Sequence, residues 1–206
     1  LVWVGTMDED QIVRRLRKRF GAAIPGVIRG IGDDAAVLRP PPSGMRWVVT
    51  TDMLLEGVDF LGSWATPAQL GYKSLAVNLS DLAAMGARPR FYLVALALPS
   101  EIRSAWIDSF YRGVSRLAQH HGAALIGGDL SRSPAGIQVT ITAIGELSGA
   151  HPVYRSGGRP GDRIYVTGIL GQAAAGLDLM MRGKTSGGTK AERRARRSLL
   201  LPEPRC

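Results

Sequence analysis

The feature that most constrains the fold is a long apolar segment containing one carboxylate. Thr66-Pro67-Ala68-Gln69 is typical of a helix start, because it combines a Thr cap, Pro at the first helical position and Gln at the capping-box position. The pattern then predicts a helix that runs to about Met85 and stops at Gly86. Residues 75–85 are apolar nearly all round, which predicts a buried helix, yet they include Asp81.

Asp81 is therefore the first of four candidate metal-binding carboxylates. Buried carboxylates are rare unless they are paired or metal-bound, and the nearest cation in sequence, Lys73, is eight residues back and not on the same turn. The other candidates end apolar segments or lie in glycine turns, where each alone could simply stabilise a turn: Asp34 (with Asp33), Asp52 and Asp129.

A convergence of these aspartates would require a cation. Two carboxylates at roughly 5 Å repel by about 3 kcal/mol at an effective dielectric of 20. Hard oxygen ligands favour Mg²⁺, which also shares its coordination with substrate phosphates. The composition thus points to a metal–phosphate site, provided that the four segments meet.

The rest of the pattern predicts an α+β (α/β) chain rather than regular βα repeats. A first helix is expected from Asp8 to Gly21, with Ile12, Leu16 and Phe20 on one face. Strands are predicted at 47–51, at 91–98 (buried on both faces), at 123–126 (leading into a turn at Gly127-Gly128-Asp129), at 137–147 and at 163–167. Further helices are predicted at 100–121 and 172–181, and a basic helix after a flexible Gly/Ser-rich segment at 184–189.

Composition and charge bear on location and partners. The longest apolar stretch, 91–99, is far shorter than the roughly 20 residues that span a bilayer. The single cysteine, Cys206, permits no internal disulfide and fits a reducing cytoplasm. The net charge of +9 is concentrated in 182–197, which has seven basic residues against Glu192 and no interleaved aromatic residues. We interpret that run as a solvated helix face, and expect a cytoplasmic protein without a membrane or nucleic-acid partner.

Five segments together resemble thiamine-monophosphate kinase. They are GIGDDAAVL (30–38), TTDMLLEGV (50–58), KSLAVNLSDLAAMGA (73–87), GGDLSR (127–132) and RSGGRPGDRIYVTG (155–168). They follow the order and spacing of that family from about Met7 to Arg205, and the NLSDLAAMGA block is highly specific. The resemblance implies the N-terminal domain of the aminoimidazole ribonucleotide synthetase-like fold, a mixed sheet with flanking helices that is shared across a homodimer. The implied organisation is an extension at 1–6, a metal- and ATP-binding dimerisation domain at 7–150, and the start of a C-terminal domain at 151–206.

The resemblance also implies an activity and a site. The expected reaction is direct in-line transfer of the γ-phosphoryl group of ATP to thiamine monophosphate, giving thiamine diphosphate, with Mg²⁺ as cofactor. The implied metal ligands are Asp34, Thr50, Thr51, Asp52, Asp81 and Asp129. The implied ATP contacts are Gly128, Asp129, Arg155 and Tyr111, and Asp59 is expected near the acceptor.

The sequence departs from the family's pattern in two places. Asp59 stands where the family often has His in Gly-Val-His-Phe. Leu201–Arg205 matches the family's Pro-x-Pro-Arg segment, after which an Asp-x-Ser-Asp motif and the residues that sandwich thiamine should follow, so we expect the chain alone to be inactive. Two alternatives stay open: another ATP-using enzyme of the same superfamily, or a non-catalytic nucleotide-binding or dimerisation fragment.

Overall fold

The computed structural model describes residues 9–29, 31, 37–148 and 151–206, so Asp8, Asp33 and Asp34 lie outside the described residues. The helices are α1 (Glu9–Phe20), α2 (Pro67–Ala84), α3 (Ser104–His121), α4 (Gln172–Met181) and α5 (Lys190–Leu200). The strands are β1 (Val27–Arg29), β2 (Val37–Leu38), β3 (Met45–Leu55), β4 (Arg88–Leu98), β5 (Ala124–Arg132) and β6 (Gln138–Ser148). None of the described helices is long and apolar enough to cross a bilayer.

The centre of the fold is a four-stranded mixed sheet. Its strands lie in the order β3-β6-β4-β5, with β4 and β5 parallel and the other two pairs antiparallel. The parallel pair is joined by α3, since parallel strands need a long crossover connection. Strands β1 and β2 form a separate antiparallel ribbon. The expected α+β class with a mixed sheet and flanking helices is confirmed.

Helices α2 and α3 cover one face of this sheet. Leu54, Ile141 and Val94, from three successive strands, are each 7% exposed or less on that face. The two helices cross closely at glycines: a Cβ on Gly71 would collide with the Phe110 carbonyl oxygen, and one on Gly113 with the Ala68 carbonyl oxygen. Because α2 carries Lys73 and Asp81, this packing fixes both side chains relative to the sheet.

The opposite face of the sheet is largely open. Val49 and Met53 of β3 lie there with 61% and 55% exposure. Thr51 lies between Val49 and Met53 on the same face and is exposed too. Its hydroxyl oxygen lies 3.2 Å from that of Thr142 on β6. The end of this face near Trp47 and Phe91 is packed, with those two rings 5.8 Å apart.

Local signals predicted several elements correctly. Helix α2 begins after Thr66 with both bonds of the capping box, and Gly86 follows it at φ 76°. Helix α4 has the predicted bounds. Helix α3 ends as predicted before the left-handed Gly122, but it starts at Ser104 rather than at residue 100.

Five expectations were wrong. Strand β3 continues past Asp52 to Leu55, and β5 runs through residues 127–129, which form no turn. Strand β4 alternates between buried and half-buried positions instead of being buried on both faces. Residues 163–167 form no strand and are all exposed. The segment at 184–189 is held in place, because the buried Arg196 guanidinium donates to the carbonyls of Lys184 and Gly187.

Candidate metal and phosphate site

The candidate site is built where α2 passes over the edge strand β3. The Thr50 hydroxyl donates a 2.9 Å hydrogen bond to the Asp81 carboxylate and so joins β3 to α2. Thr50 and Asp52 are two residues apart on β3, so both side chains project to the same face of the sheet, the one that α2 covers. Two of the four predicted carboxylates, Asp52 and Asp81, thus come together.

Asp81 differs from its prediction in one respect, since its side chain is exposed. The apolar pattern around it is real, as Leu75, Leu79 and Leu82 are at most 1% exposed. However, α2 ends over β3, which is an edge strand of the sheet as far as the structure describes the chain. Asp81 therefore reaches solvent beside Thr50, and its carboxylate is not a buried charge that would require a partner.

The pKa of the Asp52 carboxyl records the proximity of the acidic groups. Burial raises this pKa above its usual 3.8, and the charges of Asp81 and Asp59 raise it further. Each of these causes disfavours the ionised form of Asp52. A cation beside Asp52 and Asp81 would reverse the effect, which is the electrostatic behaviour of a cation-binding pair.

The turn that follows β3, residues 55–60, holds Asp59. The Leu55 carbonyl accepts from the amides of Val58 (3.1 Å) and Asp59 (2.9 Å), and the Asp59 carboxylate accepts from the Leu55 amide at 2.8 Å. The Lys73 ammonium, half-buried on α2, donates to the Asp59 backbone carbonyl at 2.9 Å. Burial lowers the pKa of Lys73, against the opposing effect of the Asp59 charge.

Asp59 and Lys73 also line a cavity of about 270 Å³ between this turn, α2 and the α4–α5 pair. The other walls are mostly apolar: Val58, Phe60, Leu61, Trp64, Leu70, Leu177, Met181, Leu199 and Leu200. The predicted acceptor residue thus faces a small apolar cavity with one carboxylate and one ammonium. The carboxylate is already bonded to the Leu55 amide, which explains how an acidic residue is tolerated there.

The structure does not bring Asp129 to the other carboxylates within one chain. Asp52 is in register with Ile141, Val94 and Gly128 across the sheet, so Asp129 projects to the opposite face. Three strand spacings separate the two strands, about 14 Å. The Thr51 hydroxyl likewise lies on the open face, where it donates to the Ile141 carbonyl at 3.1 Å, so only its backbone oxygen could serve beside Asp52.

The predicted nucleotide contacts are dispersed. Tyr111 is buried against Phe20 and Phe110, and it lines a cavity of about 460 Å³ between α1 and α3. Burial raises the pKa of its hydroxyl. Four basic side chains and one acidic one, Asp108, line the same cavity, and the basic ones are Arg15, Lys18, Arg19 and Arg112. That excess of positive charge suits an anionic ligand.

The structure supports the other two predicted ATP contacts, Gly128 and Arg155, less directly. A Cβ on Gly128 would collide with the Val94 carbonyl oxygen, so the close approach of β4 already requires glycine there. Arg155 is exposed in the irregular segment after β6. Their assignment to ATP stays a prediction.

The donor set near Asp52 fits Mg²⁺ in part. Mg²⁺ is commonly held by one or two carboxylates, waters and substrate phosphates, and Asp52, Asp81 and the Thr50 hydroxyl supply such oxygens. Asp34, the remaining predicted carboxylate, lies outside the described residues. Within the described ranges, no three His, Cys, Asp or Glu side chains are grouped closely enough to hold a metal by themselves.

Sequence reasoning missed two residues that shape the site. Glu56 accepts from the amides of Gly62 (3.1 Å) and Ile137 (2.9 Å), which ties the turn after β3 to the start of β6. Lys73 was set aside because it lies far from Asp81 along the helix, although it reaches Asp59 instead. Its position in the sequence could have indicated this contact, because Lys73 lies in the second turn of α2, directly after the connection that folds back from β3.

Comparison with known families fits this geometry. A family model described as "AIR synthase related protein, N-terminal domain" matches residues 32–147, more than half of the chain. The chain belongs to this AIR synthase related family. The matched range contains β3, α2 and the Asp52–Asp81 pair, and it ends within β6.

Curated relatives of this chain include proteins named thiamine-monophosphate kinase. Thiamine-monophosphate kinase of Bacillus subtilis (strain 168) is 41% identical over 175 residues, covering 85% of this chain and 53% of that protein. The Escherichia coli (strain K12) enzyme of the same name is 41% identical over 172 residues, covering 84% and 51%. The chain therefore spans about half the length of these curated relatives.

Solved structures agree. The crystal structure of thiamine-monophosphate kinase from Stenotrophomonas maltophilia K279a superposes with a TM-score of 0.81 at 40% identity, covering 94% of this chain and 61% of that one. A structure of AaThiL complexed with AMPPCP and TMP gives 0.74 at 31% identity, covering 97% and 62%. Escherichia coli HypE shares the fold alone, at 18% identity and a TM-score of 0.61 over 88% of this chain and 56% of that one.

Proposed function

We propose that the protein to which this chain belongs transfers the γ-phosphoryl group of ATP directly to thiamine monophosphate, giving thiamine diphosphate. The single observation that carries the proposal is the Asp52–Asp81 pair, joined through Thr50, in a chain whose relatives at 41% identity are named thiamine-monophosphate kinases. Phosphoryl transfer depends on positioning and charge neutralisation more than on covalent chemistry from the protein. A pair of carboxylates held by two rigid elements is suited to that task.

Each part of the site has a proposed role. Asp52 and Asp81, with the Thr50 hydroxyl, hold Mg²⁺, and Asp34 completes the set. Bound Mg²⁺ supplies positive charge to the phosphate oxygens. The acceptor lies beside Asp59 in the 270 Å³ apolar cavity, which excludes water from one side of the reaction. The predicted nucleotide contacts are Tyr111 with its basic cavity, Gly128 and Asp129 on β5, and Arg155, whose guanidinium would donate to the phosphates, although one chain by itself does not bring them to the Asp52–Asp81 pair.

The open face of the sheet supports a homodimer. Met53 and Val49 are more than half exposed on a regular strand, and exposed apolar sheet faces are typical of interaction surfaces. The proposed partner is a second copy, paired through this face. Val49→Glu should keep the chain monomeric in light scattering after size exclusion, whereas Val153→Glu, an exposed apolar residue outside the sheet, should leave the wild-type mass. A monomeric wild type would refute the dimer.

The reaction is tested by mixing the chain, and a full-length form, with Mg²⁺, ATP and thiamine monophosphate and following thiamine diphosphate by chromatography. The full-length form should turn over, and Asp52→Asn or Asp81→Asn should lower its rate by about 100-fold or more. Ser80→Ala, next to Asp81 and also exposed, is the matched control. The 206-residue chain should bind nucleotide weakly, in a Mg²⁺-dependent way, without turnover. A full-length form that hydrolyses ATP but ignores thiamine monophosphate would refute the acceptor. We place the reaction in the cytoplasm, because the single cysteine fits a reducing compartment.

A further inference from the structure

The cavity between α1 and α3 is bridged by an ion pair. Its volume is about 460 Å³, within the range of about 300–1,000 Å³ that is typical of small-molecule sites. The Arg15 guanidinium of α1 and the Asp108 carboxylate of α3 lie 2.8 Å apart across it. Further along both helices, the rings of Phe20 and Tyr111 are 5.8 Å apart, so the two helices continue side by side past the ion pair.

Positive charge accumulates at this end of the cavity. Lys18 and Arg19 of α1 and Arg112 of α3 line it one helical turn beyond the ion pair. Among the lining residues that the structure describes, Asp108 is the only acidic one, and it is already paired. Lys18 and Arg112 form no ion pair or hydrogen bond with any described residue, and Arg19 lies 5.2 Å from the centre of the Phe20 ring. Three like charges around one cavity repel one another, and a bound anion would relieve that repulsion.

The Tyr111 hydroxyl lacks a partner at the same end of the cavity. Tyr111 is 4% exposed, and its hydroxyl makes no hydrogen bond to any described residue. Buried polar groups are normally hydrogen-bonded, because leaving one without a partner costs free energy. Burial also raises the pKa of this hydroxyl, which keeps it protonated and able to donate. A ligand oxygen in the cavity would supply the missing acceptor.

We propose that this end of the α1–α3 cavity is a phosphate-binding site, in which the three basic side chains neutralise a phosphate group and the Tyr111 hydroxyl donates a hydrogen bond to it. Charge-assisted hydrogen bonds from arginine and lysine are the usual partners of phosphate oxygens in proteins. The site goes beyond the proposed reaction, because it needs neither Mg²⁺ nor the Asp52–Asp81 pair.

The phosphate group can come from two sources. A free phosphate ion would use the charged end alone, whereas a phosphate ester would also place its organic part against the apolar walls, which are Ile12, Leu16 and Ile107. Orthophosphate and AMP represent these two sources. Adenosine has the organic part of AMP without the phosphate group.

The experiment measures the binding of these three compounds to the 206-residue chain by isothermal titration calorimetry. EDTA removes metal ions, and about 0.15 M NaCl screens distant charges. Orthophosphate and AMP should bind, and adenosine should bind at least about 10-fold more weakly than AMP. Arg112→Met should weaken the binding of both phosphate compounds about 10-fold, because it removes a charge-assisted donor. Tyr111→Phe, which keeps the ring and removes only the hydroxyl, should weaken it about 5-fold.

Two control variants locate the effect. Arg116→Met removes the same charge from the next turn of α3, where the side chain is also exposed but does not line the cavity, and it should leave binding unchanged. Asp52→Asn should leave binding in EDTA unchanged too, although the proposed reaction requires it to weaken Mg²⁺-dependent nucleotide binding.

The outcomes separate this site from the proposed reaction. No binding of either phosphate compound in EDTA would overturn the phosphate site and leave the proposed reaction standing. Adenosine binding as tightly as AMP, or equal losses from Arg116→Met and Arg112→Met, would also overturn it. Tighter binding of AMP than of orthophosphate would support an organic phosphate as the ligand, and equal or weaker binding of AMP would support free phosphate.

Discussion

The bond between Thr50 and Asp81 should be measurable as a coupling energy between β3 and α2. Thr50→Val removes the hydroxyl but keeps a β-branched side chain of similar volume, and Asp81→Ala removes the acceptor from an exposed helix position. A hydrogen bond to a charged group contributes about 1.5–3 kcal/mol when it is shielded from water. Because Asp81 is exposed, solvent competes for both groups, and we expect a coupling of about 1 kcal/mol.

Urea unfolding of the four proteins in the double-mutant cycle gives this energy. With a slope of about 2 kcal/mol per molar urea, a 1 kcal/mol coupling corresponds to a midpoint difference of about 0.5 M from additivity. The neighbouring Thr51 provides the control, because its hydroxyl lies on the other face and bonds to the Ile141 carbonyl. Thr51→Val should be additive with Asp81→Ala. A Thr50–Asp81 coupling below about 0.3 kcal/mol, or an equal coupling for Thr51, would refute the placement of α2 over β3.

Three further perturbations have defined outcomes. Gly71→Ala gains about 1 kcal/mol of helix propensity but forces a Cβ into the Phe110 carbonyl, so we expect a net loss of about 1–2 kcal/mol in urea unfolding; an unchanged midpoint would show that α2 and α3 can separate freely. Arg196→Met removes the donors to the Lys184 and Gly187 carbonyls, so residues 184–189 should exchange faster, while Arg194→Met on the exposed side of α5 should not change them. Asp81→Ala should lower the pKa of Asp52 towards 3.8 in carboxyl carbon NMR. Because the pKa of Asp52 is raised in the folded state, ionisation of Asp52 lowers the folding stability as the pH rises through that pKa. At neutral pH, Asp81→Ala should therefore remove part of this loss of stability. An unchanged pKa of Asp52 would contradict the pairing of the two carboxylates.

Elements defined by local chemistry could be predicted from the sequence. The start of α2 depends on Thr66 and Gln69, three residues apart, and its end on Gly86. The end of α3 likewise depends on Gly122, which adopts the left-handed conformation that glycine tolerates. Such signals involve bonds within one turn of helix, so no knowledge of the neighbouring elements is required.

The first and last residues of elements that depend on neighbouring strands could not be predicted in this way. Gly127-Gly128 was interpreted as a turn, yet Gly128 lies within β5 because the Val94 carbonyl of β4 approaches where a Cβ would be. Residues 163–167 contain a short run of β-branched and aromatic residues, but Ile164 and Tyr165 are 93% and 80% exposed, and no strand in the described part of the chain pairs with them. A strand pattern without a partner strand does not form a ladder.

The same distinction applies to the candidate site: local motifs identify its residues, but contacts between distant strands decide which of them come together. The motifs identified Asp52, Asp81 and Asp129 as candidate metal ligands. The hydrogen bond between Thr50 and Asp81 follows from the packing of α2 on β3, the strand that precedes it. The face on which each carboxylate lies depends on strand register, because a shift of one residue reverses every side chain. Register puts Asp52 opposite Ile141 and in line with Gly128, so Asp129 projects to the open face instead. Among the described residues of one chain, the proposed cation site therefore draws its carboxylates from the β3–α2 side, whereas Asp129 projects to the face on which Met53 and Val49 are exposed.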